Sequence, residues 1–335
     1  MMIEQLERTL TDYEKESFLC GNILITQGYK ELLNRSFGQA SVQLSVPNTV
    51  DTKFHIASVT KMFISAASLM LVEQGLIDLD EHPGTYFERF KVLHPNIRIR
   101  HLLSNSSGLH DIYAVSALRF EMSQLIIEKK DFIDYLVHLP QNFQPGERWN
   151  YSSTGFIMMG YIFEIVTGMS FEQLLRTLFF SPLGMKATGV DYPRKVNPGR
   201  AYGHSMDNGK MINAENDRLS EIVDAPGELY STTRDLDKWC DALFKGKLLS
   251  QESLRKLFTP YYTTTFDPNL QYGLGWFLGS DFQSIRGGTP GFRSEIWYYP
   301  ALDLRIIMLW NFEKVNSQHL FQKLKPSLIN IKAVN

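Results

Sequence analysis

The sequence is short of cysteine: Cys20 and Cys240 are the only two in 335 residues, and they stand far apart and outside any CxxC spacing. That excludes a disulfide framework and a thiolate metal site, and leaves two buried free thiols as the expectation. An excess of charge of either sign is also missing. With 34 Lys and Arg against 36 Asp and Glu, the net charge is −2, which gives nucleic acid or anionic lipid no electrostatic footprint to bind. No apolar run is long enough to span a bilayer. The N-terminal stretch MMIEQLERTLTDYEKESF is charged and amphipathic, without the continuous apolar core of a secretory signal, so a cytoplasmic location is expected. Internal repeats, low-complexity tracts and Gly/Ser/Pro-rich linkers are absent. So are HExxH, any clustered ligand spacing and the G-x-S-x-G elbow, so neither a metal hydrolase nor an α/β-hydrolase is indicated, and no cofactor is expected.

What is present is an ordinary globular composition, 44% hydrophobic and 21% charged, in a chain long enough for one large unit or two closely packed lobes. FLCGNILIT and ELLNRSF, within Ser17 to Gly38, read as a hairpin turning at Gly28. SEIWYYP and DLRIIMLWN read as a second hairpin around Pro300-Ala301-Leu302-Asp303, and QYGLGWFLG at 271–279 as one further strand. Between the hairpins the pattern turns helical. Residues 58–74 are apolar almost all round and stop at Gly75; Thr154 to Thr167 and Phe171 to Phe180 repeat that character. Leu320 to Ile331 predicts a closing helix that Pro326 should kink or interrupt. Pro182 to Pro226 is the most irregular stretch. The expected fold is α+β: an antiparallel sheet built from both terminal regions and flanked by helices, with a mostly helical region inserted between them. The whole of 1–335 is expected to form a single unit, with a sheet lobe of about 1–70 plus 225–335 and a helical lobe of about 71–224.

Three segments hold candidate chemistry. Ser58-Val59-Thr60-Lys61 sets a hydroxyl and an amine one helical turn apart, where the two side chains can meet. A lysine enclosed by an apolar helix is a candidate base for the serine, and a serine at a helix N-terminus presents backbone N–H groups to a developing oxyanion. Spacing alone does not discriminate, because Ser253-Leu254-Arg255-Lys256 has it too. Context does: Ser253 lies in a charged stretch where its lysine would be solvated, whereas Ser58 follows Phe54-His55-Ile56-Ala57. Tyr151-Ser152-Ser153 comes just after the Pro145-Gly146 turn and just before an apolar helix. Its phenol is either a proton shuttle beside a cation or an aromatic anchor. Arg286-Gly287-Gly288-Thr289-Pro290-Gly291-Phe292 precedes a strand and is either a backbone oxyanion donor or a tight turn at a sheet edge. His101 and His110 read as loop or core histidines.

Taken together in this order, the segments resemble the serine β-lactamase and penicillin-binding-protein family, in its class C-like branch of D-alanyl-D-alanine carboxypeptidases, D-amino-acid peptidases and esterases. The resemblance covers nearly the whole chain. Phe54 to Lys61 is similar to the family's nucleophile segment, Ile99 to Leu109 to its loop ending in S-G-L, and Pro145 to Gly155 to its tyrosine motif. Gly227 to Leu236 is similar to its G-x-x-x-S-T-x-x-D-L signature, and the turn at Gly287 completes the set. The resemblance implies that Ser58 is acylated, that Lys61 and Tyr151 share the acid–base work, and that the N–H groups of Ser58 and Gly288 form the oxyanion hole. Ser153, Arg286, Gly287 and Tyr113 would contact the substrate, with Tyr113, Trp149, Tyr230 and Phe292 as apolar walls.

Two departures from that pattern matter. Ser153 stands where the family often has asparagine, and Ile285 where it usually has lysine or histidine. Alternation along a strand lets either Arg286 or Ile285 face the site; a guanidinium there would suit a carboxylate. The implied activity is acyl hydrolysis of a β-lactam, a short D-amino-acid peptide or a small ester, with β-lactams the poorest of the three. The alternatives are a binding or sensor module using the same cleft, and an interaction protein on an enzyme scaffold.

Overall fold

A computed structural model describes residues 2–114, 129–192, 195–214 and 227–329. The strands, in chain order, are β1 (Gly21–Gln27), β2 (Lys30–Phe37), β3 (Gln39–Ser41), β4 (Val46–Pro47), β5 (Phe54–Ala57), β6 (Gly189–Val190), β7 (His204–Asp207) and β8 (Lys210–Asn213). They continue as β9 (Gly227–Ser231), β10 (Tyr262–Thr263), β11 (Gln271–Tyr272), β12 (Phe277–Leu278), β13 (Gln283–Thr289), β14 (Phe292–Tyr299) and β15 (Leu304–Trp310). The main sheet has the order β10-β11-β12-β13-β14-β15-β1-β2. The first strand lies against the last, with Gly21 opposite Trp310 and Gln27 opposite Leu304. This is the expected α+β class, with an antiparallel sheet from both termini.

The two central strands, GNILITQ and LRIIMLW, are buried at every position. Both faces of the sheet are therefore covered, which is why they read as continuous apolar runs. On one face, Leu6, Leu10 and Tyr13 of the Met2–Glu16 helix pack with Leu320, Phe321 and Leu324 of the Ser317–Ile329 helix. On the other lies a larger core that includes Phe63, Phe156, Ile162, Trp239, Ile285 and Ile296. Cys20 and Cys240 are buried free thiols.

Several expectations from the sequence are corrected. The first apolar helix begins at Thr60, so Ser58 occupies the turn before it; its end at Gly75, with φ +71°, is as expected. The stretch 271–279 is two short strands, because Gly273 approaches Leu257 and Gly275 adopts φ +79°. Pro326 does not interrupt the closing helix, since in its last turn the proline removes only one intrahelical bond; Ile331 lies outside the described residues. The Pro182–Pro226 stretch carries β6 and the β7–β8 hairpin, and its residues 193–194 and 215–226 lie outside the described residues. Among the described residues no single helix is long and apolar enough to cross a membrane.

Candidate active site

The segment before the first core helix is forced into a tight reversal. β5 pairs with β9 and ends at Ala57, whose φ of +46° is a left-handed conformation that costs a residue with a Cβ ~1–3 kcal/mol. Ser58 follows at once, and the turn closes with Val59 N–H donating to Ile56 O at 3.1 Å and Lys61 N–H to Ser58 O at 3.0 Å. β13 presses against this turn. A Cβ on Gly287 would lie 2.6 Å from Ile56 O and 2.7 Å from Ser58 N, so only glycine lets the two backbones approach this closely. The Ser294 hydroxyl ties the contact by donating to Ile56 O at 2.6 Å.

Lys61 is 2% exposed. Its Nζ lies 2.9 Å from Ser58 Oγ and 3.2 Å from Ser153 Oγ, and 5.0 and 5.3 Å from the ring centres of Tyr151 and Phe156. Among the described residues no carboxylate pairs with it. The Tyr151 hydroxyl donates to Ser58 Oγ at 2.7 Å. Ser153 heads the Thr154–Thr167 helix without capping it, its hydroxyl being engaged with Lys61 instead. The second copy of the spacing behaves differently, because Lys256 is 40% exposed and pairs with Glu252 at 2.8 Å.

The loop ending in S-G-L frames the tyrosine. Asn105, at φ +55°, accepts from Asn150 N–H at 2.9 Å through its backbone oxygen and from Ser152 N–H at 3.3 Å through Oδ1. Asp111 Oδ1 accepts from Ser153 N–H at 3.0 Å. In the signature beginning at Gly227, Thr232 caps its helix by accepting from Asp235 N–H. Asp235 is buried and accepts from Ala187 N–H at 2.8 Å and Thr188 Oγ1 at 3.1 Å. That motif braces the β9 side of the fold rather than the cleft.

Above Ser58 opens a cavity of about 1690 Å³. Tyr151, Ser153 and Tyr113 line one side, and Arg286, Gly287 and Gly288 the other. Ile285 shares the inward face of β13 with Gly287 and is buried in the core. Arg286 takes the opposite face, exposed at the cleft, with its guanidinium 5.0 Å from the Phe277 ring and 5.4 Å from that of Phe266. Phe292 is both core and lining. Trp149 and Tyr230 are not walls. Trp149 is buried beneath Tyr151 against Tyr272 and Phe277, and Tyr230 packs under Lys53 and against Gly189. His101 is a framework histidine whose Nδ1 accepts from Arg98 N–H at 3.2 Å. Burial, with Arg100 and Arg98 alongside, lowers its pKa to about 4. His110 contacts Asn142.

The structure adds lining residues that sequence reasoning passed over. His55 Nδ1 lies 2.9 Å from Asp191 Oδ2, and Arg200 Nε lies 2.7 Å from both oxygens of the same carboxylate. Burial alone would raise the Asp191 pKa, but His55 and Arg200 outweigh it and hold the carboxyl well below its usual range. The only signal was the position of His55 inside the Phe54–Lys61 segment; its two partners come from the irregular stretch.

The sequence pattern of the Beta-lactamase family matches residues 3–323. The chain belongs to the Beta-lactamase family. That membership makes it, in the broad sense, a protein of serine acyl hydrolase type. Among its relatives, penicillin-binding protein 4* of Bacillus subtilis (strain 168) is 28% identical over 320 residues, covering 90% of this chain and 70% of that one. Two solved structures share the fold. D-amino acid amidase from Ochrobactrum anthropi SV3 has a TM-score of 0.85 at 24% identity, over 98% of this chain and 99% of that one. The octameric penicillin-binding protein homologue from Pyrococcus abyssi has a TM-score of 0.86 at 23% identity, over 99% and 78%.

Proposed function

We propose that this family member hydrolyses small esters or short D-residue amides through an acyl-enzyme on Ser58. The observation that carries the reading is that two proton-transferring groups meet on one oxygen: Lys61 Nζ at 2.9 Å and Tyr151 OH at 2.7 Å from Ser58 Oγ. As Ser58 Oγ attacks the substrate carbonyl, its proton passes into the Lys61–Tyr151 pair, which acts as one coupled system. The tetrahedral oxyanion is held by the N–H groups of Ser58 and Gly288. The pair then returns the proton to the leaving amine or alcohol, and water cleaves the acyl-enzyme by the reverse sequence. Ser153, on Lys61 Nζ at 3.2 Å, keeps the ammonium oriented in the interval.

Substrate choice follows from β13. The buried Ile285 supplies no cation beside Tyr151, and Ser153 has no amide to hold a substrate oxygen. Both disfavour β-lactams. Arg286 has an exposed guanidinium and no ion pair among the described residues, so it suits a carboxylate on the leaving group.

Intact mass spectrometry after exposure to a fluorophosphonate and, separately, to a penicillin tests the reading, alongside turnover of a p-nitrophenyl ester. Expected are a fluorophosphonate adduct, lost in Ser58→Ala, and steady ester turnover. An adduct that survives Ser58→Ala would move the nucleophile. Acylation without turnover would favour the second reading, a sensor that is acylated once, to which the apolar Ile285 also lends support.

A further inference from the structure

Along β13 the cleft has two ends. Tyr151, Phe277 and Arg286 gather at the end where β13 begins: Trp149 touches both Tyr151 and Phe277, and Arg286 lies over Phe277. At the far end are Thr289 and Phe292, the latter with His55 5.7 Å and Arg200 5.1 Å from its ring centre. Ser58 N, against Gly287, lies between. If Ser58 is the nucleophile and Tyr151 and Lys61 protonate the leaving group, the leaving group occupies the Tyr151 end. The acyl portion of the substrate then extends along the wall bearing His55, which lines the same cavity as Ser58.

The ionisable side chains of that wall are largely committed. Arg200 is bound to Asp191, Arg293 donates to Thr289 O and Phe292 O at 3.1 and 2.8 Å, and Glu313 accepts from Gly291 N–H at 2.9 Å. The carboxylate of Asp191, held ionised, can only accept. His55 Nδ1 is therefore the N–H donor to it, and Nε2 is the one ring nitrogen left to face a ligand, as an acceptor in the tautomer that this contact selects. No described residue hydrogen-bonds Nε2, and the side chain is 14% exposed, toward the cavity.

We infer that His55 is a specificity-determining residue: its Nε2 accepts a hydrogen bond from an N–H on the carbon next to the scissile carbonyl. The cleft then selects aminoacyl or N-acylaminoacyl groups over plain carboxylic acyl groups. This rests on the proposed function above and deepens it.

The test compares kcat/KM for two p-nitrophenyl esters of similar size, those of N-acetyl-D-phenylalanine and of 3-phenylpropionic acid. The native protein is expected to prefer the first by ~10-fold or more, the order of one hydrogen bond. His55→Asn retains an amide near the Nδ1 position, facing Asp191, but withdraws the acceptor from the cleft; in it the preference is expected to fall below ~3-fold. His55→Gln, whose oxygen reaches toward the Nε2 position, should recover part of it. The rate of Ser58 labelling by a fluorophosphonate reports whether each variant is folded and competent. Equal loss on both esters with the ratio unchanged would make His55 structural and overturn the inference, as would a native protein without preference. Failure of the underlying reading is distinguishable: neither ester would show Ser58-dependent hydrolysis, and both proposals would fall.

Discussion

Ser58 Oγ sits between an amine and a phenol, and the two can be separated by substitution. Tyr151→Phe removes one hydroxyl and keeps the ring that packs near Trp149 and Lys61. A fall in kcat of ~10²- to 10⁴-fold, the range for a lost general acid–base group, is expected with little change in melting temperature. Lys61→Met should cost at least as much, because the residue that replaces the amine must also fill a site that is 2% exposed. Steady-state kinetics on a p-nitrophenyl ester, with thermal melts, checks both.

His101 offers a test at the same scale that is independent of activity. Its folded pKa is lowered to about 4, against ~6.5 for an exposed imidazole. Between those values the unfolded chain binds a proton that the folded chain refuses, so stability falls as pH drops from ~6.5 toward 4. Urea midpoints should decline over that interval, and His101→Gln should flatten the decline. A variant with the same slope as the native protein would contradict the assignment.

At the scale of elements, the contact between β13 and the Ser58 turn carries the sharpest prediction. Gly287→Ala sets a methyl 2.6 Å from Ile56 O and 2.7 Å from Ser58 N, both backbone atoms with no side-chain freedom. A loss of ~1–3 kcal/mol of stability from overpacking is expected, together with a fall in acylation rate as the turn shifts. Gly168→Ala, at a helix end where nothing lies near the new methyl, is the control: its left-handed φ of +69° adds backbone strain of its own, yet far from the Ser58 turn it should leave acylation intact.

Elements also show what was legible in the letters. The hairpins of β1–β2 and β14–β15 were readable because strand alternation and turn residues are local. Ser58, Lys61 and Tyr151 could be picked out as candidates because each stands in a short ordered motif. The turn at Ser58 was not readable, since apolar character runs through 58–74 while the reversal is imposed by β9 and β13 from far along the chain. His55 stayed unread for a related reason. Its partner Asp191 is 136 positions away in an irregular stretch, and no periodicity links the two.

At the scale of the molecule, the proposed function predicts a balance of substrates from the buried Ile285 and the exposed Arg286. A chromogenic cephalosporin is expected to be turned over with kcat/KM below ~10⁴ M⁻¹s⁻¹, while an ester or D-residue amide is hydrolysed faster. Efficient cephalosporin turnover would show that a cation at position 285 is dispensable in this fold.

The pairing of the first strand with the last also bears on how the protein is made. Because β1 lies between β2 and β15, with Gly21 opposite Trp310, β1 leaves the ribosome long before the partner strand that covers its second edge. Until then GNILITQ has one free edge and an apolar surface, the kind of segment that chaperones shield and that aggregates when left bare. On the proposed function, a nascent chain stalled before Leu304 would carry Ser58, Lys61 and Tyr151 and still be inert, so the onset of hydrolysis would report that β15 has joined the sheet.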